Sequence, residues 1–516
     1  MNINSQKKLC KKILKWSLLS FVIAIFLFIF QFTAVVKTIY LISGEPSVIA
    51  EKKAIHTNIL ISSNIKNITA YLKDFWKRPE FHEHKIDSRF FGLNVAPSSF
   101  PEGDDHIIKN LLEMGVQSVR VDYGYESNKV HIERFLNKLI NPPSPPFLKG
   151  GKGGFDILPH LVQSKEDAGR MHEKEIQDKW RNFLEDVMSR FSSDIKNYEI
   201  GSVPNRKNWS GYTIPDYITA LKIASEVANK YKANIFAPNI QDFEPFWQVA
   251  IFEAIKDKGI NIQGSTDNLF VDRAGQPEFY DEHVLGRRLK NLARMDLLNK
   301  ARFLDVISEK YGIKTFISSF TQWNLDVPAP FYNSSKERLA NVEDYADYLV
   351  KYYVLLAAGG YTDRVYWGHY ASYKEGILDD SYNPEKEDAP EVHHKFIYQG
   401  DPRIYKTRPA YNAYKTMTGF LSNSRFVKNL SDIYHLSPPD EDRDKEGVFI
   451  FEFDRFDRLT GSNQKIYVGW TMNVYRKRVN LFDRNKCNAT WRDGETIHIK
   501  EDGIDLQKSP TYIVCN

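Results

Sequence analysis

From Phe90 onward, short apolar runs of strand length alternate with longer segments whose apolar residues recur every three or four positions. The runs at 90–97 (FFGLNVAP), 118–127 (SVRVDYGYES), 155–163, 197–209, 233–245, 260–270, 314–324 and 364–372 read as eight strands. Helical periodicity fills the intervals: a segment closing at Gly115, then 131–140, 173–191, 217–231, 245–259, 285–311, 342–359 and 409–421. Eight strands each followed by a helix predict an α/β fold, a (β/α)8 TIM barrel over 88–425. A doubly wound open sheet fits less well, because no Gly-rich phosphate loop follows the first strand. After Leu421 the rhythm changes to short strands at 447–455, 465–473, 495–500 and 510–516, separated by turn dipeptides such as Asp493-Gly494. This predicts a C-terminal antiparallel β domain, sandwich-like, over 426–516.

Ahead of the barrel, Trp16 to Val36 is a run of 21 residues without a charge. About 20 such residues cross the ~30 Å hydrocarbon core of a bilayer, whereas a cleaved signal carries only ~7–15 apolar residues. An N-terminal transmembrane helix at 16–36 is therefore expected. Lys7, Lys8, Lys11, Lys12 and Lys15 make residues 1–15 a cytoplasmic basic segment, which places the bulk of the chain outside, in the periplasm or at the cell surface. The polar stretch 37–87 reads as a stalk. Residues 142–154, rich in Pro and Gly, interrupt a helix-to-strand join and read as a disordered surface insertion with no chemistry.

The formal net charge of +4 is located in that basic segment: 70 Lys and Arg less those five leaves 65, against 66 Asp and Glu. A folded part so nearly neutral argues against a nucleic-acid partner. Of three cysteines, Cys10 lies on the cytoplasmic side, while Cys487 and Cys515 fall together near the carboxyl end. In an oxidising compartment the last two form one bridge; two separate buried thiols are the alternative. His82 and His84 alternate in a polar stretch without a partner motif, so no metal site and no cofactor are expected.

In a TIM barrel the chemistry sits at the carboxyl ends of the strands. There, YEIGSVPNRKNW at strand four resembles the pattern (W/Y)EIGNEPN followed closely by a Trp, and KTFISSFTQW at strand seven resembles a strand ending I-T-E-(F/Y/W). VRVDYGY carries the Arg of the barrel floor at Arg120, and VYWGHY the strand-eight Trp at Trp367. In this order and spacing, residues 88–516 resemble the retaining glycoside hydrolases of the β-xylosidase and α-iduronidase type, including secreted members from exopolysaccharide clusters. The resemblance implies an acid/base Glu and a nucleophile Glu. The matching positions hold Val203, preceded by Ser202, and Ser319. Retaining hydrolysis needs two carboxyls ~5–5.5 Å apart, and neither valine nor an unactivated serine replaces one. Glu199 matches a glutamate that serves the scaffold.

Three readings follow. One is a catalytically degenerate, membrane-anchored barrel that binds carbohydrate or polysaccharide through Arg120, Tyr125, His160, Asn205, Trp209, Trp323 and Trp367. Another is an active glycosidase or transglycosidase with displaced carboxylates, foremost Asp122, Asp242 and Asp267, with Glu126 and Glu244 also at strand ends and His160 or His369 as proton carriers. The third is a non-catalytic envelope scaffold.

Overall fold

A computed structural model describes residues 71–515, except 72, 126, 143–153, 271–275, 282, 285–286, 289, 322–324, 326–339, 382–395, 399, 432–446, 458–460, 473–475, 481, 483–484 and 501–502. The cytoplasmic segment, the span at 16–36, most of the stalk, nearly all of the 142–154 insertion, Glu126 and Trp323 lie outside the described residues. No described helix is long and apolar enough to cross a membrane.

Eight parallel strands close into a barrel: β1 (Phe91–Asn94), β2 (Ser118–Gly124), β3 (Asp156–Val162), β4 (Asn197–Ile200), β5 (Asn234–Phe236), β6 (Gly264–Asn268), β7 (Thr315–Thr321) and β8 (Arg364–Trp367). Each pairs with the next, and β8 returns to β1 through Val365 opposite Phe91. The eight main helices are α1 (Pro101–Glu113), α2 (Lys129–Ile140), α3 (Lys174–Phe191), α4 (Ile214–Tyr231), α5 (Pro245–Asp257), α6 (Leu297–Lys310), α7 (Val342–Gly359) and α8 (Pro409–Leu421). Their ends carry the expected chemistry. The Thr213 side chain accepts from the Asp216 amide to cap α4, Asn341 accepts from Glu343 and Asp344 to cap α7, and Gly360 ends α7 in the left-handed region.

Alternation along each strand sorts side chains between the barrel interior and the helix layer. Leu158, Phe236, Ile317 and Tyr366 pack together as an apolar layer inside the barrel. Gly264 and Gly92 make that layer possible, because a Cβ at either would collide with the ring of Phe236 or Tyr366. Above this layer the inward residues become polar.

The C-terminal domain is built on a sheet of β9 (Arg425–Asn429), β10 (Val448–Asp457), β11 (Ser462–Thr471), β12 (Cys487–Trp491), β13 (Thr496–Ile497) and β14 (Thr511–Cys515), all antiparallel. One face packs Val448, Ile450 and Ile513 against Val479, Ile504 and Leu506 of a short two-stranded ribbon, giving the sandwich its core. Cys487 and Cys515 stand opposite each other on β12 and β14 and are bridged, with Cα atoms 4.1 Å apart. The other side meets the barrel, where Tyr512 stacks on Phe420 of α8 at 4.8 Å between ring centroids.

Two sequence expectations shift. The end of the predicted stalk, 71–87, is folded against the barrel: Phe75 packs on Phe303 of α6 at 5.3 Å, and Lys310 bonds Asp74 at 2.7 Å. Aromatic residues in this stretch gain more from burial than a free linker would allow. The His84–Lys85 strand also joins the C-terminal sheet, opposite Phe426 and Arg425 of β9. Strand five, predicted over 233–245, is interrupted after Asn234–Phe236 at Pro238, which has no amide hydrogen for the ladder, and resumes as Ile240–Gln241 beside Asp267 and Asn268 of β6.

Candidate functional site

Four charged or titratable side chains meet inside the barrel above its apolar layer. Asp122 of β2, His160 of β3 and Glu199 of β4 are register neighbours on adjacent strands, one row above Arg120 and its neighbour Asn94. Arg120 donates through Nε to Glu199 Oε2 at 2.5 Å, and through Nη1 to Asn94 Oδ1 at 2.9 Å and Asp122 Oδ1 at 3.0 Å. His160 places Nδ1 2.7 Å from Asp122 Oδ1 and Nε2 2.6 Å from the Gly201 carbonyl. Burial pushes the Glu199 pKa up, but the charges of Arg120 and His160 and bonds from Asn239 and Arg120 outweigh it and hold the carboxyl below its ordinary range. Burial, then the Arg120 charge, pulls the His160 imidazole down despite two neighbouring carboxylates. The cluster is a buried ion network, stable only while every charge keeps its partner.

The two positions that the resemblance assigns to catalytic glutamates are joined by one side chain. Asn239, just past β5, accepts the Val203 backbone N–H on Oδ1 at 3.2 Å and donates from Nδ2 to Ser319 Oγ at 3.1 Å. The same Nδ2 donates to Glu199 Oε1 at 2.6 Å. Ser319 in turn donates to Asn268 Oδ1 at 3.1 Å and is fully buried. Amides and a hydroxyl thus fill the crossing between β4 and β7. Val203 holds φ at 33°, and Asn239, Asp242 and His369 also lie in the left-handed region, at 56°, 63° and 38°. For a β-branched residue this is strained, and such strain gathers where a site over-determines the backbone.

Above the network a half-enclosed cavity is lined by Arg120, Asp122, His160, Val203, Trp209, Tyr212, Asn268, Phe270 and Phe320, with Gln163, Lys165 and Gln241 among the polar walls. Trp209, partly exposed, supplies an aromatic face of the kind on which sugar rings stack. Phe320 lies 6.0 Å from the Arg120 guanidinium and 5.4 Å, edge to face, from His369.

Of the residues singled out from sequence, Arg120, Asp122, His160, Val203 and Trp209 converge on this cavity. Asn205 stands beside it, donating to the Gln241 carbonyl at 2.8 Å and to Glu244 at 3.2 Å, so it ties the loops after β4 and β5 together. Asp242 and Glu244 are both bound to Arg206, each at 2.8 Å. Three others face away. Trp367 is fully buried between the barrel and α7, its indole donating to Tyr345 Oη at 2.7 Å. Tyr125 is directed at the helix layer, with its hydroxyl on Asp167 and Lys179 Nζ 4.2 Å over its ring. Asp267 follows the parity of Ser265, whose hydroxyl meets Ser308 of α6, and so leaves the interior to Thr266 and Asn268. It is fully buried, and neither carboxyl oxygen has a hydrogen-bond partner among the described residues. Burial, then the charge of Asp242, pushes its pKa well up, and it lies outside the cavity. Asn239, Asn268 and Phe320 were not singled out from sequence. A polar residue directly after a strand-ending proline, as in Ala237-Pro238-Asn239, was the available signal.

No family model matches this chain, and no curated protein matches it in sequence. Solved structures do resemble it in fold. A family 39 glycoside hydrolase from the gut symbiont Bacteroides cellulosilyticus WH2 shares 14% identity, with 84% of this chain and 82% of that chain covered at a TM-score of 0.53. A glucosidase from Croceicoccus marinus shares 10% identity, with 85% and 98% covered at a TM-score of 0.52. At such identities the likeness is one of fold: the chain has a glycoside-hydrolase-like TIM barrel, here with an appended antiparallel β domain.

Proposed function

We propose that this protein is a glycoside-hydrolase-like barrel that binds a saccharide at the mouth of β2 to β7 and lacks the two-glutamate retaining reaction. The observation that carries this reading is the Val203–Asn239–Ser319 link: neither expected carboxyl position holds a carboxyl, and the Asn239 amide joins the Val203 backbone N–H to the Ser319 hydroxyl. What remains suits recognition, with an aromatic face at Trp209, a guanidinium fixed by its network, and amide and hydroxyl walls. Loss of a nucleophile and an acid together removes many powers of ten in rate while leaving binding contacts in place. Calorimetric titration with oligosaccharide and polysaccharide panels is expected to give saturable binding that Trp209→Ala weakens at least about tenfold, a loss of ~1.4 kcal/mol. Aryl glycosides are expected to turn over poorly. Rapid turnover, or binding indifferent to Trp209, would overturn the reading.

The protein is also proposed to be held on the outer side of a membrane by residues 16–36. That run is long enough to span, the basic residues precede it, and the Cys487–Cys515 bridge suits an oxidising compartment. Protease added to intact cells or spheroplasts should digest the barrel. A barrel protected until lysis would exclude this topology.

A further inference from the structure

The proton count around His160 leads beyond saccharide binding. Its two ring nitrogens both face acceptors, the Asp122 carboxyl at 2.7 Å and the Gly201 carbonyl at 2.6 Å. A neutral imidazole with an ionised Asp122 has one N–H for these two contacts, and the other would press lone pair on lone pair. Each contact can be made only if the pair holds two protons: one on Nε2, given to Gly201, and one between Nδ1 and Asp122 Oδ1. Arg120 donates to that same Oδ1 at 3.0 Å and stabilises the carboxylate that is left once the proton is given up. Asp122 is also the only carboxylate lining the cavity among the described residues.

We propose that Asp122 and His160 together form a general acid that acts on a glycosidic oxygen of the bound saccharide, in place of the proton donor that position 203 does not supply. The proposal rests on saccharide binding at this cavity. Asp122 is the candidate catalytic residue, because it is the more exposed of the two at the cavity wall, and His160, almost fully buried beside it, is the positioning residue that shares the proton. In the step, the shared proton moves to the glycosidic oxygen, and the C1–O bond breaks with its electron pair going to that oxygen. A water molecule then bonds to C1 and gives a proton to the Asp122 carboxylate, which restores the pair. No nucleophilic side chain is required, so the reaction is slow and depends on the leaving group needing a proton. The charged and titratable groups facing the pair are Arg120 from β2 and Glu199 from β4, with Lys165 and Tyr212 on the cavity wall. Because the acid must be protonated, turnover is highest at low pH and falls as the pair loses its proton.

The test uses the full chain, with a saccharide found by the binding panel and a poor leaving group at the scissile bond. Asp122→Asn keeps the shape of the side chain and is expected to lower slow turnover at least about a hundredfold while changing affinity little. His160→Gln is expected to shift the descending limb of the pH profile, which a purely structural role would not do. Nitrogen-15 and carbon-13 spectra should show His160 protonated on Nε2 alone and the Asp122 carboxyl carrying the second proton near neutral pH. An ionised Asp122 in the wild type, no turnover by the wild type, or turnover unchanged in Asp122→Asn, overturns the proposal. Absence of saccharide binding is a separate result, which overturns the binding reading while the spectra still report on the proton.

Discussion

Arg120 shows how much of this site rests on one side chain. It lies 3% exposed between Glu199, with none of its side chain exposed, and Asp122. Arg120→Ala would leave two carboxylates buried without their cation, a loss of about 3–5 kcal/mol. The pH dependence follows from Glu199, whose folded pKa is depressed. Its ionised pairing stabilises the fold above the unfolded-chain value of ~4.3 and is lost as pH falls through the lower folded value. In Arg120→Ala the depressing charge is gone, so burial drives the carboxyl up and it takes a proton. Urea unfolding is expected to show a large deficit for the variant at neutral pH and a smaller one near the carboxyl range. Equal deficits at both would show that Glu199 does not depend on Arg120. At this scale the sequence was informative for Arg120, Asp122 and His160, which belong to strands with a recognisable pattern. It misled for Trp367 and Asp267. In a parallel barrel both faces of a strand are buried, so apolar and polar residues do not alternate in a way that separates interior from helix layer. Tyr366 faces in and Trp367 out, yet both are fully buried.

The elements themselves were largely legible, because helical and strand periods differ and eight repeats reinforce one another. Boundaries were less so. The helix predicted over 285–311 has its main body as α6, Leu297–Lys310, where Asp296 caps it by accepting from the Asn299 amide at 2.9 Å. The apolar periodicity continued upstream of that cap and gave no stop. Within the C-terminal sheet, one choice left open by sequence is resolved by register: β12 and β14 run side by side with Cys487 opposite Cys515. The two cysteines are 28 residues apart in sequence, and closing a loop of that size removes unfolded-chain entropy equivalent to about 3.5 kcal/mol. Cys487→Ala with Cys515→Ala should lower the denaturant midpoint accordingly, and reducing agent should lower it in the wild type alone. A variant as stable as the wild type would place the stabilisation entirely in the sheet.

For the whole molecule, a buried contact couples the barrel to the β domain. Lys351 of α7, with no side-chain exposure, donates to Glu278 and to Gln276 at 2.8 Å each, and the Trp470 indole of β11 donates to the same Glu278 oxygen at 3.1 Å. Glu278 belongs to the segment between β6 and α6, at the end of the barrel where the cavity opens. The β domain therefore braces the connection that follows the cavity-lining Phe270 instead of hanging beside the barrel. Lys351→Ala should cost about 3–5 kcal/mol by stranding a buried carboxylate, whereas Lys351→Met combined with Glu278→Leu should recover much of the loss. A double variant no better than the single would mean that the pair, and not merely the stranded charge, holds the domains together.

The His84–Lys85 strand gives the chain a temporal constraint. Its partners on β9 are made only after the whole barrel has been synthesised, and Glu83 meets Arg425 across 342 residues. A growing polypeptide emerges from the ribosome with this edge unsatisfied while those 342 residues are made. Through that interval its exposed backbone is available to other strands, and the short length of the segment, two residues, limits how firmly any wrong partner can hold it. This pairing is thus a late event that fastens the segment ahead of the barrel to the C-terminal sheet, and a nascent product released before β9 cannot make it.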